Sequence, residues 1–128
     1  MSSEIAREWR EKAEEDYCAA IILSQTKRKH LFSSICFHSQ QSVEKYLKAY
    51  LSREKISFPK THDLILLKNL CSDEDGDFEL VSDLIISLNP YSVEFRYPGE
   101  RAMRRDAMGA IKALKEIREF VRRKIRLK

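Results

Sequence analysis

The sequence predicts an all-α fold, an up-and-down antiparallel bundle of about five helices with a core like that of a four-helix bundle. Only 3 of the 128 residues are Gly and only 3 are Pro, whereas an all-β fold needs turn residues every few positions. Hydrophobic residues make up 43% of the chain and charged residues 34%, a balance typical of long amphipathic helices. The length suits one domain, so we expect a single helical domain over residues 1–128.

Two long helices are expected in the first half of the chain. The first extends to about residue 25, and a polar turn at residues 25–30 follows it. The second spans about residues 31–54 and ends before Pro59, because proline disfavours the helical conformation in the residue that precedes it. The apolar side of the first helix steps mostly by three or four residues: Ile5, Trp9, Ala13, Tyr17, Ala20 and Leu23.

Shorter elements are expected in the second half, before a last long helix. Hydrophobic residues recur at helical spacing on both sides of an acidic, glycine-containing stretch, which predicts two short helices joined by a loop. The expected order is a third helix capped by Thr61, a loop at residues 72–77, a fourth helix at 78–88, an ordered loop or short helical turn at 91–100 and a last helix at 101–126.

Charge is distributed unevenly along the chain. The net charge is +4, but residues 101–128 alone hold 11 basic and 3 acidic side chains, a net of +8. Two explanations stay open at this point. The basic segment could meet a polyanionic partner such as RNA, or its cations could remain solvated and complement the dipole near a helix C-terminus.

The three cysteines predict a reducing compartment. Cys18, Cys36 and Cys71 are widely spaced in apolar contexts, so we expect buried free thiols and not a disulfide framework. The N-terminus is polar and lacks the apolar core of a signal peptide, and no run of about 18 apolar residues occurs. We therefore expect a cytoplasmic protein without a membrane segment.

Several chemistries with recognisable local motifs are disfavoured. His30, His38 and His62 are not spaced for a shared metal ion on one helix, and no HExxH motif is present. A nucleophile elbow is absent, and 3 glycines could hardly form a phosphate-binding glycine loop. We expect no metal, no cofactor and no catalytic residue of a recognisable type.

A polar stripe on the second helix is the first candidate binding feature. Gln41, Glu44, Lys45 and Lys48 step by three, one and three, which places them on one side of the helix. Such a stripe offers donors to a phosphate and an acceptor to a base or hydroxyl. The alternative is a solvated helix face on which Glu44 and Lys48 form an ordinary surface pair.

Two further features have both a binding and a structural interpretation. His62 could donate to an anion at a helix start, or it could be a histidine of a capping turn. Arg96 lies beside Tyr97, an arrangement suited to bidentate phosphate recognition with an aromatic ring for base stacking. The alternative is a buried ion pair of Arg96 with Glu44 or Glu94. Arg101, Arg104 and Arg105 oppose the dipole at the start of the last helix, which favours an anionic ligand.

The ordered set of motifs resembles the HEPN domain family. The stretches FHSQQSVEKYLKAYL, FPKTHDL and RYPGE carry the resemblance, with Trp9, AEEDYCAA and the amphipathic last helix fitting the same pattern. The resemblance covers about residues 4–125. It implies an up-and-down helical bundle, a homodimer, nucleotide binding, and pairing with a minimal nucleotidyltransferase in a two-component, toxin–antitoxin type of system.

The resemblance also identifies candidate site residues and argues against ribonuclease activity. HEPN ribonucleases use an Arg and a His separated by four to six residues, but no His follows His62 here, so Arg96 cannot complete that signature. Without the imidazole, the 2′-hydroxyl lacks an obvious activating group. The residues that match the family's shared positions are Gln41, Glu44, Lys45, Lys48, Thr61, His62, Asp63, Arg96, Tyr97 and Pro98.

The leading hypothesis is a non-catalytic domain that binds a nucleotide such as ATP and acts as the partner of a minimal nucleotidyltransferase. Its expected binding residues are Arg96, Tyr97, Lys45, Lys48, Glu44, Gln41 and His62. One alternative is a ribonuclease toxin with an atypical site, in which Arg96, Arg101 and His62 converge. The other is a structural dimerisation module in which the same residues form a network between helices.

Overall fold

Five α-helices make up most of the chain, and no strand occurs between residues 2 and 126. The structure, a computed structural model, describes residues 2–126, with side chains from Glu4 onward. Short 3₁₀ turns at Lys29–Leu31, Gly76–Val81 and Asn89–Ser92 connect some of the helices. The helices are α1 (Ser2–Thr26), α2 (Phe32–Arg53), α3 (Leu64–Glu74), α4 (Ser82–Leu88) and α5 (Arg104–Ile125). The predicted all-α, up-and-down bundle is confirmed.

Helix α2 lies at the centre of the bundle. It pairs along its length with α1 and packs against α5 on another side, while α3 and α4 cover much of the remainder. Most of its residues are therefore buried, including polar ones such as Gln40, Ser42 and Glu44. Because buried polar groups need partners, the central position of α2 decides where a polar network can form.

Alanines allow α1 to approach α2 closely. Ala6, Ala13 and Ala20 are fully buried and recur every seven residues, which places them on one line along the helix. The hydroxyl of Ser42 donates to the backbone carbonyl of Ala13 at 2.8 Å, a bond that requires the two helices to be near each other. The buried line of α1 is thus formed by small residues, while larger ones such as Trp9 and Tyr17 are only partly buried against the core.

An aromatic cluster joins the middle of the chain to α2 and α5. Phe78 is fully buried between Tyr50 and Phe120, with ring centroids 4.7 and 5.0 Å away. Tilted and edge-to-face rings at these distances attract each other beyond the burial of their area. The Gly76–Val81 turn is therefore anchored to the core, and α4 follows it directly.

Some local predictions were wrong. The cap of α3 is Asp63, whose carboxylate accepts from the backbone N–H groups of Ile65 and Leu66, while Thr61 accepts from the N–H of Asp63. The predicted loop at residues 72–77 is helical as far as Glu74. The predicted fourth helix is divided into a 3₁₀ turn and α4, and the last helix begins at Arg104 instead of residue 101.

Two burial predictions also failed. Ile5 is 50% exposed, and the neighbouring Ala6 is fully buried instead. Cys18 is exposed, whereas Cys36 and Cys71 are buried free thiols as predicted. Burial raises the pKa of the Cys36 thiol to about 12, so this group stays protonated at neutral pH.

None of the helices between residues 2 and 126 combines the length and apolar character needed to cross a bilayer.

Candidate functional site

A buried carboxylate on α2 is the centre of an internal polar network. Glu44 is only 3% exposed, and its two oxygens lie 3.0 Å from the Lys48 ammonium and 2.8 Å from Nδ1 of His62. Lys48 is also nearly buried, so the predicted alternative of a solvated helix face is wrong for this pair. The His62 side chain is 71% exposed and forms the solvent-facing end of the network.

Aromatic rings provide the second partner of the Lys48 ammonium. The Nζ atom lies 5.1 Å from the Trp9 ring centroid and 5.9 Å from that of Phe58. The two rings contact each other edge to face at 6.3 Å. A cation over ring faces is stabilised by their quadrupoles, so the ammonium of Lys48 is held by Glu44 on one side and by aromatic faces on another.

Two glutamines extend the network to the backbone before α3. Gln40, which is fully buried, donates to the carbonyl of His62 at 3.1 Å. Gln41 donates to the side-chain oxygen of Gln40 at 2.7 Å. The predicted residues Gln41, Glu44, Lys48 and His62 thus belong to one connected arrangement, in which α2 fixes both the backbone and the ring of His62.

Lys45 points to a different partner. Its ammonium lies 2.6 Å from Asp16 on α1, and Nδ1 of His38 contacts the other oxygen of that carboxylate at 2.8 Å. Burial raises the pKa of Asp16, but the hydrogen bonds from His38 and Lys45 outweigh it and hold the pKa below its ordinary value. Asp16 therefore remains charged and ties α1 to α2.

The loop that carries Arg96 and Tyr97 is exposed but ordered by hydrogen bonds. One oxygen of Glu100 accepts from the backbone N–H groups of Arg96 and Tyr97 at 3.0 and 3.2 Å. The Arg96 guanidinium donates to the carbonyl of Ser92 at 3.4 Å, and Tyr97 is 71% exposed. The alternative of a buried ion pair of Arg96 with Glu44 or Glu94 is therefore wrong, because the guanidinium lies at the surface.

A cationic cavity lies directly beside this loop. It measures about 650 Å³ and forms where the turn between α1 and α2 meets the segment before α5. The backbone N–H of Ala102 donates to the Ser33 hydroxyl at 3.4 Å, which joins the two walls. Glu100 thus both lines the cavity and holds the Arg96–Tyr97 loop. The lining residues are Arg28, Lys29, His30, Ser33, Glu100 and Arg101.

Comparison with protein families decides the relationship of the chain. The family model for the HEPN domain matches residues 6–124, which is nearly the whole sequence. The chain belongs to the HEPN domain family. No curated protein sequence matches it.

Solved structures share the HEPN fold. A crystal structure of ST0689, an archaeal HEPN homologue, superposes with a TM-score of 0.72 at 23% sequence identity, covering 94% of this chain and 97% of that one. The crystal structure of TT1696 from Thermus thermophilus gives the same TM-score at 25% identity, covering 93% of this chain and 97% of that one. The arrangement of helices is therefore that of known HEPN structures.

The HEPN chain does not bring all predicted site residues together. Among residues 4–126, no hydrogen bond or ion pair connects Arg96 or Tyr97 to the network around Glu44. Ser33 in the cavity and Glu44 are 11 positions apart on α2, or about 16 Å along its axis. The contacts described for Arg96, Arg101 and His62 likewise place them at two separate locations.

Of the residues that line the cavity of this HEPN domain, only Arg101 is among those that the sequence connects with an anionic ligand. Arg28, Lys29 and His30 are not, although three adjacent basic or titratable residues in a turn are a usable signal for an anion site. Within residues 4–126, no group of three His, Cys, Asp or Glu side chains is arranged to hold a metal ion.

Proposed function

We propose that this chain acts as one HEPN-like helical domain that binds a nucleotide such as ATP through its phosphates. We further propose that it is the non-catalytic partner of a minimal nucleotidyltransferase in a toxin–antitoxin type of pair. The observation that carries the binding proposal is the exposed Arg96–Tyr97 loop, which Glu100 holds at the edge of the cationic cavity.

The chemistry of this region suits a phosphorylated ligand. Arginine recognises phosphate with two parallel N–H groups, and Arg96 and Arg101 both lie at this end of the bundle. The cavity volume of about 650 Å³ falls within the range of ligand sites, which is about 300–1,000 Å³. The exposed ring of Tyr97 offers a face on which a base can stack.

The second-helix residues are assigned a subsidiary part in this proposal. His62 presents an exposed imidazole, and Gln41 and Lys45 are half-buried, so these three are proposed contacts for a base, sugar or phosphate. Glu44 and Lys48 are proposed to act through His62, because Glu44 accepts from its ring while Lys48 balances the buried charge.

Calorimetric titration with ATP, GTP and CTP tests the binding proposal. We expect Arg96→Ala to weaken binding about tenfold or more, since a charge-assisted hydrogen bond is worth about 1.5–3 kcal/mol. Arg123→Ala is the matched control, because it removes the same charge from an arginine that pairs with Glu119 and lies outside the cavity. Absence of binding at millimolar nucleotide, with and without the partner protein, would contradict the proposal.

The partner role requires a separate experiment. What supports it is membership of the HEPN family, because the resemblance to that family implies pairing with such an enzyme. A nucleotidyltransferase encoded beside this chain should co-elute with it in size-exclusion chromatography, and light scattering on the chain alone should give the mass of the proposed homodimer. Separate elution of the two proteins over a range of salt concentrations would contradict the pairing.

A further inference from the structure

A second surface depression lies on the side of the bundle formed by α1, α2 and α5, and we name it the α5 groove. It measures about 320 Å³. Its floor and walls include apolar side chains, and every charged residue that lines it is a cation. The lining residues are Ser24, Lys27, Phe32, Ile35, Arg104, Ala107, Met108, Ile111 and Lys115.

The α5 side of the groove has a regular pattern. Arg104, Met108, Ile111 and Lys115 step by four, three and four, so they form one stripe about 16 Å long on the helix. The two apolar residues lie in the middle of the stripe, and a cation stands at each end. Met108 is 63% exposed, which leaves a large apolar side chain facing water.

The opposite side of the groove also combines apolar residues with cations. Phe32 and Ile35 of α2 are buried and form the floor. The guanidinium of Arg104 lies 5.6 Å from the Phe32 ring centroid, so the cation is held against the apolar floor instead of extending away from it. Lys27 completes the rim from the end of α1.

We propose that the α5 groove binds an acidic amphipathic segment of a partner protein. Such a segment would insert two or three apolar anchors over Phe32 and Met108 and direct Asp or Glu side chains to the cations at both ends. Charge complementarity carries this choice of occupant, because the groove is lined by Lys27, Arg104 and Lys115 with no carboxylate among its described lining residues. The proposal does not depend on nucleotide binding.

A labelled peptide provides the test. The probe is a helical peptide of about 18 residues with leucines spaced by four and three and glutamates on both sides of them, and fluorescence anisotropy reports its binding to the full chain. Met108→Glu removes an apolar contact and adds a repelling charge, so we expect binding to weaken about tenfold or more. We expect a further loss when Lys27 and Lys115 are changed to Glu.

Matched controls distinguish peptide binding at the groove from nonspecific binding elsewhere on the chain. Leu80→Glu alters an apolar residue that is 79% exposed outside the groove and should leave peptide affinity unchanged. A peptide with lysine in place of each glutamate should bind far more weakly, and salt should weaken binding of the acidic peptide. Circular dichroism checks that each variant keeps its helices.

Four results would overturn the proposal. The acidic peptide could bind Met108→Glu as well as the unsubstituted chain, or the basic peptide could bind equally well. Ultracentrifugation could show a dimer that Met108→Glu dissociates, in which case a second copy covers the groove. Anionic vesicles could bind in a Met108-dependent way while the peptide does not, which would assign the groove to a lipid surface.

Discussion

The buried ion pair of Glu44 and Lys48 gives the sharpest prediction for stability. Glu44→Gln keeps the side-chain shape but leaves the Lys48 ammonium, whose side chain is 7% exposed, without a countercharge. Removing one partner of a buried ion pair costs about 3–5 kcal/mol. The rings of Trp9 and Phe58 remain beside the cation and favour its charged form, so we expect the lower end, a loss of about 3 kcal/mol in the free energy of unfolding.

A second pair in the same chain is a matched control. Glu119 and Arg123 are also four residues apart on a helix, at 3.2 Å, but their side chains are 72% and 65% exposed. Glu119→Gln should therefore cost less than about 0.5 kcal/mol. Urea unfolding followed by circular dichroism and by the fluorescence of Trp9, the one tryptophan of the sequence, measures both variants under identical conditions.

A double substitution shows whether the unpaired charge causes the loss of stability. Glu44→Leu combined with Lys48→Met removes both charges from the interior, so neither is left unpaired, and we expect stability within about 1 kcal/mol of the unsubstituted protein. His62 loses its partner, but its side chain is 71% exposed and can bond to water. A cost of Glu44→Gln no larger than that of Glu119→Gln would contradict a destabilising unpaired charge on Lys48, and so would a double variant less stable than Glu44→Gln.

Three further predictions concern the packing of the bundle. Asp16 has a lowered pKa in the folded state because His38 and Lys45 bond to it, so its contribution is present above the ordinary value of 3.8 and lost as pH falls through the folded pKa. In acid denaturation series, the stability gap between the protein and Asp16→Asn should therefore close below about pH 4, and a constant gap would contradict this assignment. Phe78→Ala should cost about 3–5 kcal/mol in urea unfolding, because it empties a fully buried site between two aromatic rings. Asp63→Ala should cost about 1 kcal/mol through loss of the α3 cap, whereas Asp63→Ser should retain most of it.

The fold could be predicted from local information because hydrophobic spacing repeats over long segments. The expected ends of α1 and α2 lie within one residue of the observed ones. Two of the errors occur where neighbouring residues compete for one role. Thr61 and Asp63 are both capping residues, and Ile5 and Ala6 both fit an apolar side, so only the packing of α1 and α3 decides between them.

The candidate site depends on contacts between distant parts of the chain. The stripe of Gln41, Glu44 and Lys48 was visible in the sequence, but its burial follows from the central position of α2 in the bundle. The cationic cavity forms only when Ser33 meets Ala102, 69 residues away. Hydrophobic periodicity describes one helix at a time, so it does not determine which helix end meets which loop.

The buried alanines of α1 also set the axial position of that helix. Ala6, Ala13 and Ala20 recur every seven residues, while the bulky Trp9 and Tyr17 lie between them. Sliding α1 by one turn, about 5.4 Å, would bring a large side chain to a fully buried position that a methyl group occupies. Substitutions should therefore be tolerated least at the smallest residues of α1. These residues fix the register of α1 against α2 that brings Trp9 to Lys48.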